Sequence, residues 1–588
     1  MSILKKIFHK LFREEGYLKE VFGELKWITR YSVHFRREII LYVVIGLLST
    51  AASFGLSIFS KKIIDTVTGY DTSAIAPVAV FYVIFNLLQI AFNSIISMVR
   101  TKINIRVEQE IRADVYDKIM QADWISLISQ RSGDMLNRLN GDVSSVSSSV
   151  LGWVPDLVTR MFQFIGAFGI ICYYDWVLAV FSLLSAPFMA LMSRSLLRKM
   201  RHYNSEMRNA SSDLMSFSEE SFRNIQLIKS FGLSDQYGGE LRKVQQKYRD
   251  LALEYNRFSV GTTALLSIIG MVVYICCYGW CIYRLWTHSI TYGTMTLFLQ
   301  LSGTLGGAFS SLVSMVPSAI SAATAAGRIM AISELPKEEK PNDAEVAEIL
   351  RERKTANIHA ENISFAYNDD EFVFENADFK AKSGEIVAIV GSSGEGKTTF
   401  LRLLLGLIPI SGGKMYISDS QGMKIPVSPS TRALFAYVPQ ENMMFAKSVR
   451  DNLRLMKPEA TDDELNKALD TALAYRFVYK KEKNLDTPVL EAGGGFSEGQ
   501  IQRLTIARAL LQDAPIMLLD EATSALDIGT EQEVLQNIMS VRQNRIIIVT
   551  THRPSVLKLC DRVYRLQDKK IEILSKEEIK AMYDSFSE

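Results

Sequence analysis

An all-α transmembrane half of six helices with long cytoplasmic helical loops, followed by an α/β half built on a phosphate loop, is the fold class this 588-residue sequence predicts. Three observations predict it. Runs free of Asp, Glu, Lys and Arg cover Ile39–Ser60, Thr72–Val99, Trp176–Ser193, Phe258–Tyr283 and Leu285–Gly327, and none of this length follows. Each is long enough, or nearly so, to cross a hydrocarbon layer of ~30 Å as a helix. The segment Gly391-Ser392-Ser393-Gly394-Glu395-Gly396-Lys397-Thr398 fits a Gly, a four-residue spacer and Gly-Lys-Thr, with the strand-like Ile386–Val390 before it and a Leu-rich helical pattern after it. Two later apolar runs end in polar groups: Ile516–Leu519 leads into Asp520-Glu521, and Ile546–Val549 into Thr550-Thr551-His552.

Composition narrows the reading. The chain is too long for one ordinary domain. A net charge of +2 gives no basic excess, so nucleic acid is not an expected partner. The cysteines Cys172, Cys276, Cys277, Cys281 and Cys560 lack zinc-like spacing and read as reduced packing residues.

Residues 1–38 are polar and rich in Lys and Arg, with apolar Ile7, Phe8, Leu11 and Phe12 among them. They read as an amphipathic elbow on the inner membrane face, without a cleavable signal pattern. Residues 39–335 form the transmembrane domain, with spans at about 39–60, 75–99, 150–174, 176–198, 258–283 and 290–320. The third span contains Asp156 and Arg160, four apart on one helix face and able to pair. Asn86, Gln89, Asn93, Gln163 and Gln300 are further polar groups within spans. Gly303 and Gly307 form a small-xxx-small pair suited to close packing or bending.

Loop charge sets the orientation. The long loops Arg100–Asp142 and Arg194–Arg257 are full of Lys and Arg, whereas Lys61–Asp71, Tyr173–Trp176 and Arg284–Tyr292 are short. The long loops, the N-terminus and the C-terminal half therefore lie in the cytoplasm. Apolar spacing of three and four continues along Lys102–Met120 and Asn204–Leu227, so the loops read as helical hairpins with tips near Asp123–Gly133 and Gly232–Leu241. Short outer loops and few cysteines point to an integral protein of a bacterial plasma membrane.

Residues 336–343, charged and Pro-containing, read as a linker, and 344–588 as a nucleotide-binding domain. A strand turning into a helix through the Gly391–Thr398 loop aims backbone N–H groups at one point, which suits phosphates. Lys397 would reach the outer phosphates and Thr398 would hold Mg2+.

With these features in place, nearly the whole chain resembles an ABC transporter of the exporter type, in the half-transporter arrangement of six spans and one ATP-binding domain. The resemblance implies ATP and Mg2+ as cofactors and a role for each motif. Tyr367 would stack on adenine, and residues Gly391, Ser392, Ser393, Gly394, Glu395, Gly396, Lys397, Thr398 and Thr399 would cradle the phosphates. Gln440, after Phe435–Pro439, would be a lid glutamine that ligates Mg2+ and senses the attacking water. Asp520 would hold Mg2+ with Thr398 and Gln440. Glu521 would be the general base, and His552 would contact the γ-phosphate. Ser497-Glu498-Gly499-Gln500 is similar to the family signature, which closes over ATP held by a second subunit. Here Phe496 replaces the usual Leu and Glu498 the usual Gly, placing a carboxylate near phosphate. Ser524-Ala525-Leu526-Asp527 matches the subunit-crossing loop.

The partners implied are a second half-transporter (an identical or a paralogous chain), membrane lipid and a transported small molecule, lipid or peptide. The resulting function is ATP-driven export of a hydrophobic or amphipathic cargo by alternating access in a dimer. The alternative is an importer with an exporter fold, as in siderophore-like uptake.

Overall fold

The computed structural model describes residues 15–69, 72–128, 130, 132–152, 154–180, 203, 206–207, 209–352, 355–367, 371–441, 443–490, 493–541, 544–551 and 553–585. Contacts divide the chain into two compact units. The first comprises Met1–Met120 and Arg131–Glu334; the second comprises Gln121–Gln130 and Leu335–Glu588.

The first unit is helical. Long helices run over Arg36–Thr68, Thr72–Gln121, Val154–Tyr174, Ser234–Trp286 and Tyr292–Ser333. At a rise of ~1.5 Å per residue, the 50 residues of Thr72–Gln121 span far more than a membrane core, so the apolar N-terminal part crosses and the charged C-terminal part projects beyond it. Among the described residues, three helices are long and apolar enough to cross a membrane: Arg36–Thr68, Ala74–Gln121 and Gly133–Tyr174. The expected fourth span, 176–198, is described only to residue 180; the rest lies outside the described residues. The fifth and sixth expected spans fall on Ser234–Trp286 and Tyr292–Ser333. Exposed Val80, Phe81, Leu87, Ile90 and Met98 suit a lipid-facing surface on the Thr72–Gln121 helix.

Inside this unit, Cys277 and Cys281 are buried in a cluster with Ala167, Ile171, Phe298 and Leu301, which is where packing cysteines belong. The expected pairing of Asp156 with Arg160 is not what forms. Asp156 accepts from the Tyr42 hydroxyl at 2.6 Å and lies 3.6 Å from Arg100, while Arg160 donates to Gln163 at 3.0 Å. The long-range partners offer Asp156 a hydroxyl and a guanidinium at once, and these displace the local i,i+4 contact. Among the described residues, a Cβ on Gly303 or Gly307 would meet nothing within 4 Å. Close approaches occur at other glycines, among them Gly46, against Thr159, and Gly166, against Phe54.

The second loop hairpin turns at 231–233, where Gly232 adopts φ +65°, just before the Ser234–Trp286 helix begins. The first hairpin carries the short helix Trp124–Ile128, within the second unit.

The second unit is built on two sheets. Strands β1 (Ala356–Ala366), β2 (Phe372–Ala381), β4 (Gly412–Asp419) and β5 (Lys424–Pro426) form an antiparallel sheet in the order β2-β1-β4-β5. Strands β3 (Ile386–Val390), β6 (Phe435–Val438), β7 (Ile516–Asp520), β8 (Ile546–Thr550), β9 (Arg562–Gln567) and β10 (Lys570–Ile573) form the second, in the order β10-β9-β3-β8-β7-β6. Its pairings are parallel except for β9 with β10. Every residue of β7 and β8 is buried, as central parallel strands covered on both faces require. In β1 the burial alternates, which matches a sheet with one covered face.

Two cores follow from these faces. One contains Phe374, Phe379 and Phe400 between the sheets; the other packs Leu504, Ile506 and Ala507 against Met517, Leu519 and Val549. The parallel topology brings the C-terminal ends of β3, β6, β7 and β8 to one edge, where open α/β sheets place their ligands.

Candidate functional site

The phosphate loop leaves β3 and enters the helix Lys397–Leu404. Gly394 and Gly396 take φ +92° and +94°, which favours glycine, and a Cβ on Gly396 would lie 2.7 Å from Val373 Cγ1. Ser392, Ser393 and Gly394 are exposed, whereas Lys397 is buried at 7% exposure. Its Nζ donates to the carbonyls of Gly391 at 3.0 Å and Ser392 at 3.1 Å, and sits 4.0 Å from a Glu521 oxygen. Burial lowers the Lys397 pKa, against the pull of Glu521, Asp520 and Glu395.

The acidic pair at the end of β7 is held by the neighbouring strand. Asp520 is 1% exposed and accepts from the Thr550 hydroxyl at 2.7 Å through Oδ1. Its Oδ2 is buried and has no hydrogen-bond partner among the described residues. Burial raises the Asp520 pKa, and the Thr550 and Thr398 hydroxyls oppose that. An orphaned buried carboxylate oxygen, with a threonine hydroxyl beside it and the Gln440 carboxamide near Glu521, is an all-oxygen donor set that fits Mg2+.

Glu521 turns away from the strand. Its φ of +49° lies in the left-handed region that non-glycine residues seldom adopt. Its N–H donates to the Thr550 hydroxyl at 2.9 Å, and its carboxylate accepts from Gln440 Nε2 at 3.0 Å. Gln440 is exposed just after β6. The structure thus brings Lys397, Gln440, Asp520 and Glu521 together. His552 lies outside the described residues.

Tyr367 is 48% exposed, its ring edge-on to Phe365 with centroids 4.9 Å apart. Its hydroxyl lies 3.3 Å from the Thr399 hydroxyl and accepts from Arg402 Nη1 at 3.3 Å. The hydroxyl end is therefore fixed to the phosphate-loop helix while a large part of the residue faces solvent.

Ser497 is the extended N-cap of the helix Glu498–Leu510, and its N–H donates to Gln500 Oε1 at 3.0 Å. Phe496, where the family has Leu, packs edge-on to Phe477 and lies under the Lys481 ammonium. Glu498 is exposed at the helix N-terminus and forms no ion pair among the described residues. A Cβ on Gly499 would approach the Ala525 carbonyl to 3.0 Å, so the signature helix lies directly on the 524–527 loop. Asp527 accepts from the Thr530 N–H at 3.0 Å, and this hydrogen bond pulls its pKa down.

Several contributors were missed by sequence reasoning. Thr550 holds both acidic residues. Gln502 clasps the 524–527 loop through the Ser524 hydroxyl at 3.1 Å and the Ala525 N–H at 3.0 Å. Arg553 donates to the carbonyls of Ser524 and Leu526 at 2.5 and 2.7 Å and pairs at 3.2 Å with Glu531, which is fully buried and also accepts from Thr523. The paired threonines at the end of β8, Thr550 and Thr551, are the one signal that could have exposed the first of these.

Comparison with known proteins agrees with this geometry. Residues 39–309 match the family model described as ABC transporter transmembrane region, and residues 374–524 the one described as ABC transporter. The chain belongs to the ABC transporters. It is of the exporter type, with an integral membrane domain and an ATP-hydrolysing domain on one polypeptide. The "Putative multidrug export ATP-binding/permease protein YgaD" of Bacillus subtilis is 24% identical over 559 residues, covering 93% of this chain and 95% of that protein. An ATP-dependent lipid A-core flippase of Desulfotalea psychrophila is 28% identical over 466 residues, covering 79% and 80%. The fold matches a bacterial Atm1-family ABC exporter solved with ATP bound, at a TM-score of 0.83 and 20% identity, over 94% of this chain and 98% of that one.

Proposed function

We propose that this ABC transporter is one half of a dimeric exporter in a bacterial plasma membrane, moving a hydrophobic or amphipathic cargo outward at the expense of ATP. The observation that carries the reading is the convergence of Lys397, Gln440, Asp520 and Glu521 below an exposed phosphate loop, on a chain that also carries membrane-crossing helices. Export rather than import is favoured by relatives whose names describe multidrug export and lipid A-core flipping. The same names support a drug-like or lipid cargo over a hydrophilic one.

In this reading, Lys397 exchanges the carbonyls of Gly391 and Ser392 for phosphate oxygens, with backbone N–H groups of the loop beside it. Thr398, Gln440 and Asp520 would hold Mg2+, which supplies charge neutralisation at the phosphates. Glu521 accepts the proton of the attacking water, and Gln440 orients that water from the opposite side. Tyr367 offers its exposed ring to adenine. Ser497, exposed at a helix N-terminus, closes over nucleotide held by a second chain, and the 524–527 loop crosses between subunits. Closure of two ATP-binding domains would then be read by the loop tips and shift the helices outward.

The experiment is transport in membrane vesicles of both orientations. ATP-dependent cargo uptake into inside-out vesicles, abolished by Glu521→Gln, supports the proposal; accumulation only in right-side-out vesicles overturns it.

A further inference from the structure

The stretch that leads into the third expected span is not α-helical throughout. Ser132–Asn137, Arg138–Asp142 and Val143–Gly152 follow one another without a break, and the middle piece is a π-helical turn. There the Val143 N–H reaches the Arg138 carbonyl, five residues back instead of four. A π turn absorbs about one extra residue without interrupting the helix, and such turns are rare and gather at functional sites.

Geometry shows what the extra residue achieves. Asp134 and Asp142 are eight positions apart. At about 100° per residue, a continuous α-helix would set them about 80° apart around its axis. With one residue absorbed, the angle falls to about 20°, and both carboxylates share a face. Arg328, on the helix Tyr292–Ser333, uses that face. Its Nη2 donates to Asp134 Oδ1 at 2.6 Å, and its Nε lies 3.2 Å from Asp142 Oδ2. Arg138, inside the turn, closes the arrangement: its Nη2 lies 2.7 Å from Asp134 Oδ2, and its Nη1 donates to the Arg328 carbonyl at 3.1 Å. One guanidinium thus spans both ends of the π turn.

The two ends are not held alike. Val143, Val146 and Val150 are buried among Ala322, Ala326 and Ile329 of the helix Tyr292–Ser333, which fixes the register after the turn. Before it, Leu136 is 59% exposed and Asn137 is exposed, and Asp134 supplies a polar tie to Arg328. Were the turn to relax to α, Ser132–Asn137 would rotate by about 100° relative to the span. Asp134 would then leave Arg328, while Asp142 would keep it.

We infer that Arg138–Asp142 is a two-position register switch at the cytoplasmic end of the third span, and that Arg328 holds it in the π position. The other position is a continuous α-helix, longer by about 1.5 Å, with Ser132–Asn137 turned to a different face. Backbone N–H groups are paired in both, so Arg328 selects between two formed helices and not between order and disorder. Any displacement of the cytoplasmic end of Tyr292–Ser333 that parts Arg328 from Asp134 favours the α position.

The experiment measures a distance across the turn within one helix, so that movement of the helix as a rigid body leaves it unchanged. Spin-labelled amino acids replace Leu136 and Ser148, both exposed, in the full chain in lipid nanodiscs with any partner chain present. About 20° separates these positions around the axis in the π register and about 120° in the α register, so switching lengthens the label distance by about 5 Å. The wild type gives the shorter distance. Arg328→Gln and Asp134→Asn, each checked for an unchanged thermal unfolding profile, move the population to the longer one; the second variant decides if the first fails to assemble. Deleting Asn140 removes the extra residue and joins the flanking helices as α with their faces unchanged. In that background the distance stays short with or without Arg328→Gln, and ATP turnover falls by about fivefold or more because Ser132–Asn137 can no longer turn. An unchanged distance in both Arg328→Gln and Asp134→Asn overturns the switch. A lengthening of the same size after the deletion also overturns it, because it would report a loosened helix and not a change of register. Wild-type turnover in the deletion variant overturns the use of the switch in the ATP cycle.

Discussion

Gln440 donates its side-chain amide to the carboxylate of Glu521 across 3.0 Å, joining the exposed turn after β6 to the acidic end of β7. A neutral donor of this kind orients the carboxylate without a formal charge, so the group retains its capacity to accept a proton. The left-handed backbone of Glu521, at φ +49°, aims the side chain out of the strand line toward Lys397. Glu521→Gln keeps the shape and the hydrogen-bonding capacity but not the basicity. Phosphate release should fall by about 100-fold or more, the size assigned to a lost general base, while nucleotide binding measured by equilibrium filtration persists.

Thr550 serves Asp520 and Glu521 through one hydroxyl. Thr550→Val keeps the volume and removes both bonds, leaving a fully buried carboxylate oxygen and a backbone N–H without partners. A stability loss of about 1–3 kcal/mol is expected, with kcat reduced at least about tenfold. Thr550→Ser should recover most of both. Thermal unfolding and steady-state phosphate release check this together.

Glu498 stands exposed at the N-terminus of the signature helix, where a negative charge favours the helix but opposes a phosphate. Raising salt should therefore increase ATP turnover of the wild type at subsaturating ATP, because screening weakens that opposition. Glu498→Gly should lower KM for ATP by about three- to tenfold at low salt and flatten the salt profile, as expected for a surface charge pair near 4 Å. A profile unaltered by the substitution would show that this carboxylate points away from the nucleotide.

Glu531 has no solvent exposure and holds both Arg553 and Thr523, which together fix the 524–527 loop. Glu531→Ala leaves a partly exposed arginine without its counter-charge and frees the Thr523 hydroxyl, at a cost of about 1–3 kcal/mol. For a unit of this size, that is a fall of roughly 5 °C in the unfolding midpoint of the ATP-binding unit. Differential scanning calorimetry in detergent measures it.

These residues also show where the sequence could and could not be read. The phosphate loop and the acidic end of β7 are contiguous, and their chemistry is set by neighbours one to four positions away. Membrane helices announce themselves through uncharged runs, because the bilayer tolerates little else. Thr550 acts across the sheet, 30 and 29 residues from its two partners, and Arg553 reaches Glu531 and Leu526 over 22 and 27 residues. Such pairs depend on strand order, which local pattern does not reveal. Asp156 makes the same point in the membrane domain. Its visible neighbour at i+4 was Arg160, but Tyr42 lies 114 residues away and bonds it instead. Arg328 meets Asp134 across 194 residues, a contact that no local periodicity encodes.

The most direct test of the account measures ATP hydrolysis and cargo movement in the same inside-out membrane vesicles from cells producing this chain with its native partners. Cargo should accelerate phosphate release and accumulate in the vesicle lumen, and Glu521→Gln should abolish both while leaving nucleotide bound. Cargo accumulation that continues undiminished in the Glu521→Gln vesicles would contradict the claim that the site formed by Lys397, Gln440, Asp520 and Glu521 powers transport.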